Sequence, residues 1–319
     1  MDPVERSIRR GGLFLRRRDL LALGFTDGQI KSSLARRLIF RVRQGWYSVP
    51  DAPEPAIRAV RVGGRLTSLS ALESYGLRVP RRERTHVAVP ETASRLRRPD
   101  DRHRRLGSRD PVRVHWVDRR GAGGNQWRVS IEDALLAVLV EEPRDIAVAC
   151  CSAVMHSKRW SAHRIDAVFA RAPRRARCWR GLVSALDESH GETFARLWFM
   201  DAGVQYEQQV ALKDVGRVDF RVGPNSYVEI DGGQHDPEWT GEGESNWDKD
   251  HDRDTTVAIG GGGVLRYNYR QLYGDWPRVL ASIERTVADD LVLTAYRSRH
   301  PYRPRARRKR RTSAAPALW

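Results

Sequence analysis

RVDFRVGPNSYVEIDGGQH, residues 217–235, is the stretch that decides the reading of this chain. RVDFRV and YVEID alternate as two strands should, and the short GPNS link makes them neighbours. That puts Asp219 and Glu229 on adjoining strands. Glu229 and Asp231 are two residues apart, so their side chains project to one face. His235 follows a Gly-Gly turn. Acids reaching one sheet edge from neighbouring strands can hold a divalent cation for phosphodiester cleavage. The plainer reading is a pair of surface acids. Acids inside apolar strands such as RVDF and YVEI are unusual without a role, and that favours the metal reading.

Working outward, SHGETFARLWFMDAG (189–203) reads as a helix with Phe194, Leu197 and Trp198 on one face and Gly203 past its end. Strands are expected at 206–212, 217–222 and 227–231, followed by a polar loop through Asn246. WDKDHDRDTTVAI (247–259) reads as a helix ended by the glycine run 260–263. VLRYNY (264–269) reads as a further strand and Trp276 to Val287 as a closing helix. The order is helix, three strands, helix, strand, helix.

The whole chain has 319 residues, enough for two or three domains, and a net charge of +17 carried mostly by arginine. Such an excess favours a polyanion, and DNA is the partner expected; an arginine-rich source organism would produce the same bias without a partner. Three cysteines, two of them adjacent, suggest neither a disulfide framework nor a zinc site. Free thiols in a reducing cytoplasm are expected. MDPVERSIRRGG lacks an apolar signal core, and no apolar run is long enough to span a bilayer, so no membrane association is expected.

At the other end, RRRDLLAL (16–23) reads as a short helix with Gly24 beyond it. Thr26 and Gln29 form a capping-box pattern, and Ile30, Leu34 and Leu38 recur at helical spacing. IFRVRQGWYSV then reads as two β stretches joined near Gln44-Gly45. Helix, turn, helix and basic hairpin is a winged helix-turn-helix pattern. Its second helix would offer Lys31, Ser32 and Arg36 to a DNA major groove, with Arg41 and Arg43 on the wing near phosphates. A protein-interaction module with a solvated basic face is the other reading. The run DLLALGFTDGQIKSSLARRLIFRVRQGWYSVP resembles the N-terminal antitoxin domain of the AbiEi family of type IV toxin–antitoxin systems.

Between the two ends, a helix is expected at Leu66 to Leu77, strands at 86–90 and 112–117, a solvated basic loop at Arg95 to Arg109, and helices from Ser130 to Ala185. The Arg-dense, proline-broken run 297–311 reads as disordered, attracting phosphates or merely solubilising the chain. The expected organisation is α/β (α+β overall). It comprises a winged helix at 1–52, a mixed then helical connecting domain at 53–185, a restriction-endonuclease-like αβββαβ core at 186–290, and a basic disordered tail at 291–319.

The C-terminal pattern resembles PD-(D/E)XK nucleases, and more closely the branch related to very-short-patch-repair endonucleases. The residues that carry it are Ser189, Glu192, Gly203, Gln209, Arg217-Val218-Asp219, Glu229, Asp231-Gly232, His235, Arg253-Asp254 and Val264-Leu265-Arg266-Tyr267. The resemblance implies a metal-dependent endonuclease using Mg²⁺ or Mn²⁺. Asp219 and Glu229 are then the ligands, with Asp231 a third ligand or a proton acceptor. Asp231 stands where the nuclease signature has a lysine, so His235 becomes the candidate general base or water-positioning residue. Ser189 and Glu192 are themselves a capping box, and the resemblance alternatively places the Glu192 carboxylate near the metal. Arg253 either contacts DNA phosphate or pairs with Glu229 or Asp231. The resemblance also implies a setting in phage or plasmid defence or a toxin–antitoxin system, with a cognate partner protein; a homodimer stays open. A catalytically inactive DNA-binding regulator or an antitoxin-like protein is the rival.

Overall fold

A computed structural model describes residues 1–80, 82–118, 123–158, 160–212, 216–231 and 263–299. The chain is mixed α and β with several small sheets and divides into two units, the first Met1–Asp201 and the second beginning at Ala202. The break thus falls at the end of a helix, rather than near position 186.

The first unit opens with a helix absent from the expectations, α1 (Pro3–Arg10). Its signals are nonetheless local: Asp2 accepts hydrogen bonds from the Val4 and Glu5 N–H groups at 3.0 and 3.1 Å, and Pro3 occupies the first turn. β1 (Phe14–Arg16), α2 (Arg17–Ala22) and α3 (Asp27–Ala35) follow, then β2 (Phe40–Arg43) and β3 (Trp46–Ser48). The Thr26–Gln29 capping box forms at the start of α3. β2 and β3 pair through the Gln44-Gly45 turn, and β1 joins the other side of β3, all antiparallel, with a register shift between Arg41 and Arg43.

α4 (Glu54–Val62), β4 (Arg65–Leu66), α5 (Ser68–Ser74), β5 (Thr85–Pro90) and β6 (Val112–Val117) come next. The sheet order is β4-β5-β6, and β5 runs parallel to β6. A parallel pair needs a long crossover. Here it is the basic segment after Pro90, which the Arg97–Arg105 bridge clips and whose Leu96 and Leu106 pack on the core. α6 (Ile131–Glu141), α7 (Arg144–His156), α8 (Ala162–Arg171), α9 (Arg174–Arg177), a 3₁₀ helix (Cys178–Leu182) and α10 (His190–Ala202) complete the series.

One cluster of buried apolar side chains runs from Val4 to Ala176, so the core has no break at position 52. Trp127 explains part of this continuity. Its indole N–H donates to the Gly12 carbonyl at 2.7 Å, its ring lies 6.2 Å from Phe14, and its carbonyl accepts from Leu66 N–H. Cys150 and Cys151 are buried in α7 as free thiols, whereas Cys178 is exposed. Among the described residues, no helix is long and apolar enough to cross a membrane.

The second unit holds β7 (Glu207–Leu212), β8 (Gly216–Arg221), β9 (Ser226–Asp231) and β10 (Gly263–Asn268) in one sheet of order β10-β9-β8-β7. β7, β8 and β9 are antiparallel neighbours, and β10 runs parallel to β9. α11 (Tyr269–Gly274) and α12 (Trp276–Arg299) follow. α12 runs well past Val287 and past position 291, where the tail was expected to begin. Leu291, Leu293 and Ala295 are good helix formers, and Asp290 is anchored on the sheet. The expected helix at 247–259 and the run 300–319 lie outside the described residues.

His86 on β5 is buried beside His115, with ring centroids 5.0 Å apart. Burial, reinforced by His115, Arg113, Arg82 and Arg84, pushes its pKa down to about 3 from 6.5. An unfolded chain therefore binds a proton below pH 6.5 that the fold refuses. The stability is complete above pH 6.5 and is lost as pH falls towards 3. His190, pushed down to about 4 by burial, acts in the same direction. Urea unfolding between pH 7 and 4 is expected to show His86→Leu losing up to one proton of this slope, about 1.4 kcal/mol per pH unit. Equal slopes in variant and wild type would place the acid sensitivity elsewhere.

Candidate active site

The β8–β9 pair is regular at its turn and irregular at its other end. Val222 N–H donates to the Ser226 carbonyl at 2.9 Å, and Phe220 pairs with Val228. Continuing that register, the partner of Ile230 N–H would be the Val218 carbonyl. Instead, Ile230 N–H donates to Asp219 Oδ2 at 2.8 Å. The carboxylate thus takes the place of a backbone acceptor, and the regular pairing ends at Phe220. Extended by one step, the same register would set Asp219 opposite Glu229. On its other side, between the Gln208–Phe220 and Val210–Val218 pairs, it faces Gln209 of β7. The Gln209 backbone has a positive φ, in the left-handed region. An unusual backbone beside a part-buried acid is the kind of local cost that functional positions carry.

Glu229 is met from β10. Arg266 lies opposite it in the parallel register, and Arg266 Nε donates to Glu229 Oε2 at 2.9 Å. Both are half-buried, with 24% of the Arg266 and 14% of the Glu229 side chain exposed. Arg266 stands in the VLRY motif, but no role attached to it in the sequence. The signal was weak because its register against β9 depends on the intervening stretch 232–262. Asp231, also half-buried, lies opposite Asn268 at the end of β9.

Glu192 belongs to the first unit. It is 4% exposed, its N–H donates to Ser189 Oγ at 3.1 Å, and its carboxylate accepts from Glu188 N–H at 3.0 Å. The Ser189 half of the capping box therefore forms, while the Glu192 carboxylate reaches Glu188, one residue before Ser189. A buried ion pair follows one turn on. Arg196 holds Asp187 through two charge-assisted hydrogen bonds, one from Nε at 2.9 Å and one from Nη2 at 2.8 Å. His235 and Arg253, and with them the base and the second counter-charge expected of this site, lie outside the described residues. Among the described residues, no group of three or more His, Cys, Asp or Glu side chains is placed to hold a metal ion. Asp219, Glu229 and Asp231 thus do not form a three-acid cluster among themselves. Asp219 and Glu229 remain as hard oxygen donors of the type that suits Mg²⁺.

A further carboxylate secures the turn that joins β8 to β9. Asp290 of α12 accepts from Asn225 N–H at 2.6 Å, Ser226 Oγ at 2.8 Å and Asn225 Nδ2 at 3.2 Å. Burial pulls its pKa up, but these hydrogen bonds, with one from Thr294, outweigh burial and leave the pKa below the ordinary carboxylate value. Gly223 is required at this turn, since a Cβ there would stand 2.9 Å from Asp290 Oδ2. Sequence reasoning missed Asp290 because nothing local in the helix marks it; its partners lie in a different element.

In the first unit, Lys31 and Ser32 are exposed on α3, and Arg41 is exposed on β2. Arg36 is exposed at the end of α3 and forms an ion pair of 3.4 Å with Asp2, the cap of α1. Arg43 is exposed as well. Its guanidinium turns back on α4 and donates to the Val60 carbonyl at 3.3 Å.

No family model matches the chain, and no curated protein matches it. Among solved structures, the homing endonuclease I-Bth0305I catalytic domain is similar over 31% of this chain and 95% of that one, with 18% identity and a TM-score of 0.27.

Replacing Asp290 by Ala strips the β8–β9 turn of its acceptor. The expected cost is about 2–3 kcal/mol, with Asp290→Asn recovering part of it. Amide exchange at Asn225 and Ser226 should accelerate by about the corresponding factor; protection equal to wild type would remove the clamp.

Proposed function

We propose that the chain is a metal-dependent DNA endonuclease whose second unit cuts and whose N-terminal head binds DNA. The observation that supports this most is Asp219, whose carboxylate accepts from Ile230 N–H, next in the chain to Glu229, where the regular β8–β9 pairing ends. Two carboxylates suffice for Mg²⁺ or Mn²⁺, which commonly completes its shell with water and substrate phosphate. The carboxylates of Asp219 and Glu229 would hold the cation. When bound, the metal would stabilise charge on the scissile phosphate and make a coordinated water more acidic.

The protein's own groups divide the remaining tasks. Arg266 offsets the acid charge at Glu229, which otherwise repels a phosphodiester. It cannot serve as a base, because its guanidinium stays protonated. Proton acceptance falls to His235 or Asp231, and phosphate contact to Arg253. Glu192 fixes the start of α10. In the head, a winged-helix arrangement of α2, α3 and the β2–β3 hairpin would present Lys31 and Ser32 to a major groove and Arg41 to phosphates, with Arg36 shared between DNA and Asp2. The enzyme would act in defence against phage or plasmid DNA, alone or with a cognate toxin or antitoxin partner. A homodimer would bring a site to each strand.

A second reading is a DNA-binding regulator that no longer cuts. The Glu229–Arg266 pair and the carboxylate at position 231, where a lysine would stand, favour it.

Supercoiled plasmid and single-stranded DNA incubated with Mg²⁺ or Mn²⁺ should be cut by wild type and spared in EDTA. Asp219→Ala with Glu229→Ala should lower the rate about 100-fold or more. No metal-dependent cutting of any DNA form would leave the regulator, and equal cutting by the double variant would unseat these two acids. Independently, Lys31→Ala with Arg41→Ala should weaken duplex binding about tenfold and reduce the salt slope by about two charges. Unchanged binding would remove the head from the DNA interface.

A further inference from the structure

A cavity of about 510 Å³ opens in the first unit between the β2–β3 hairpin and the α4–β4 corner. Arg16, Arg43 and Arg65 line it, together with Trp46, Asn125 and Gln126. Among the described residues, no Asp or Glu lines it. Three guanidinium groups around one recess with no described acid in its wall is an arrangement that a folded chain normally avoids, because like charges repel.

The hydrogen-bond acceptors of Arg43 and Arg65 are backbone carbonyls. Arg43 Nη1 donates to the Val60 carbonyl at 3.3 Å, at the end of α4. Arg65 Nη1 donates to the carbonyls of Gly123 and Asn125 at 3.0 and 3.4 Å. The Arg16 guanidinium lies over the Trp46 ring at 4.8 Å, and its buried Nε has no hydrogen-bond partner among the described residues. Burial lowers the pKa of Arg43, and it lowers that of Arg65, which Asp133 only partly offsets. The backbone makes room for the cluster: Gly63 has a φ of +100°, and a Cβ there would stand 2.5 Å from Arg43 Nη1.

We infer that this cavity is a binding site for a phosphate-bearing small molecule of mononucleotide size, held by Arg16, Arg43 and Arg65. Its volume lies within the ordinary range for small-ligand pockets. Arginine forks match phosphate oxygens, and each arginine here reaches the recess from a different element. Trp46 supplies an aromatic wall and Asn125 and Gln126 supply amides, the mix a nucleoside would use. The site is a recess rather than a ridge, and Arg43, though exposed, is held at its wall by the Val60 carbonyl; this favours a free small ligand over a duplex backbone.

The full-length chain is titrated calorimetrically at low chloride with inorganic phosphate, AMP and ATP. Saturable binding of at least one probe is expected. Arg65→Gln and Arg16→Gln should each weaken it at least about tenfold, while Arg10→Gln, outside the wall of the recess, should not. In wild type, the bound probe should slow amide exchange at Gly63–Arg65 and at residues 123–126, a readout that does not depend on any variant folding. Absence of saturable binding would overturn the assignment. So would wild-type affinity in both arginine variants, or protection confined to other segments. Protection of these segments by duplex DNA alone, with none from the small probes, would assign the recess to nucleic acid and overturn it as well.

Discussion

An acid in the interior of a sheet has to be met by a donor or a cation, because an unpaired charge in a low-dielectric setting costs several kcal/mol. The second unit is arranged around how three carboxylates satisfy that demand. Asp219 is met by a backbone N–H, Glu229 by Arg266 and Asp290 by the turn at Asn225 and Ser226. The outcomes at the two ends of the β8–β9 hairpin are opposite. Asp290 closes the turn end, reinforcing a ladder that is regular through Phe220 and Val228. Asp219 opens the other end, where its side chain takes the acceptor position that a carbonyl would otherwise fill. The open end carries the candidate chemistry, and the closed end fixes where it stands.

The first unit meets the same constraint with the sign reversed. The chain has 57 Lys and Arg against 40 Asp and Glu, so acids cannot pair with every cation. Backbone carbonyls take up part of the excess. Arg43 reaches Val60, Arg61 reaches Pro99 and Arg128 reaches Ser74. Carbonyls at helix ends are good partners for guanidinium groups, since they carry partial negative charge. Net charge therefore overstates the surface available to a polyanion. Arg43 shows the distinction: in sequence it belongs to a basic hairpin, whereas in the fold it braces that hairpin against α4.

What could be read in advance was what is local. The alternation in RVDFRV and YVEID, the link between them and the capping box at Thr26 each lie within a few residues, and their elements stand within a residue or two of expectation. Arg266 could not be found this way, because a parallel partner is fixed by register across a long connection. Asp290 was hidden for the same reason, since its role depends on how α12 lies on the sheet. α1 carries local signals too, with Asp2-Pro3 at its start and Arg9, Arg10 and Gly11 at its end. The continuous core from Val4 to Ala176 had no local sign, because composition marks linkers and shared packing does not change it.

Arg266 bears on the substitution at position 231. A lysine in the nuclease signature does two things: it offsets negative charge, and its ammonium orients or activates water. Arg266 can take over the first, because it stands on the neighbouring strand against Glu229 with its charge fixed at any working pH. It cannot take over the second, since a guanidinium that never releases its proton cannot receive one during turnover. Charge compensation and proton transfer are thus separated in this chain, and the first is already in place on β10. The proposed cleavage then rests on a base beyond the end of β9, in the stretch that carries His235, or on the metal-bound water alone. A regulator needs neither, and its sheet would be equally well served by the Glu229–Arg266 pair as a purely structural bond.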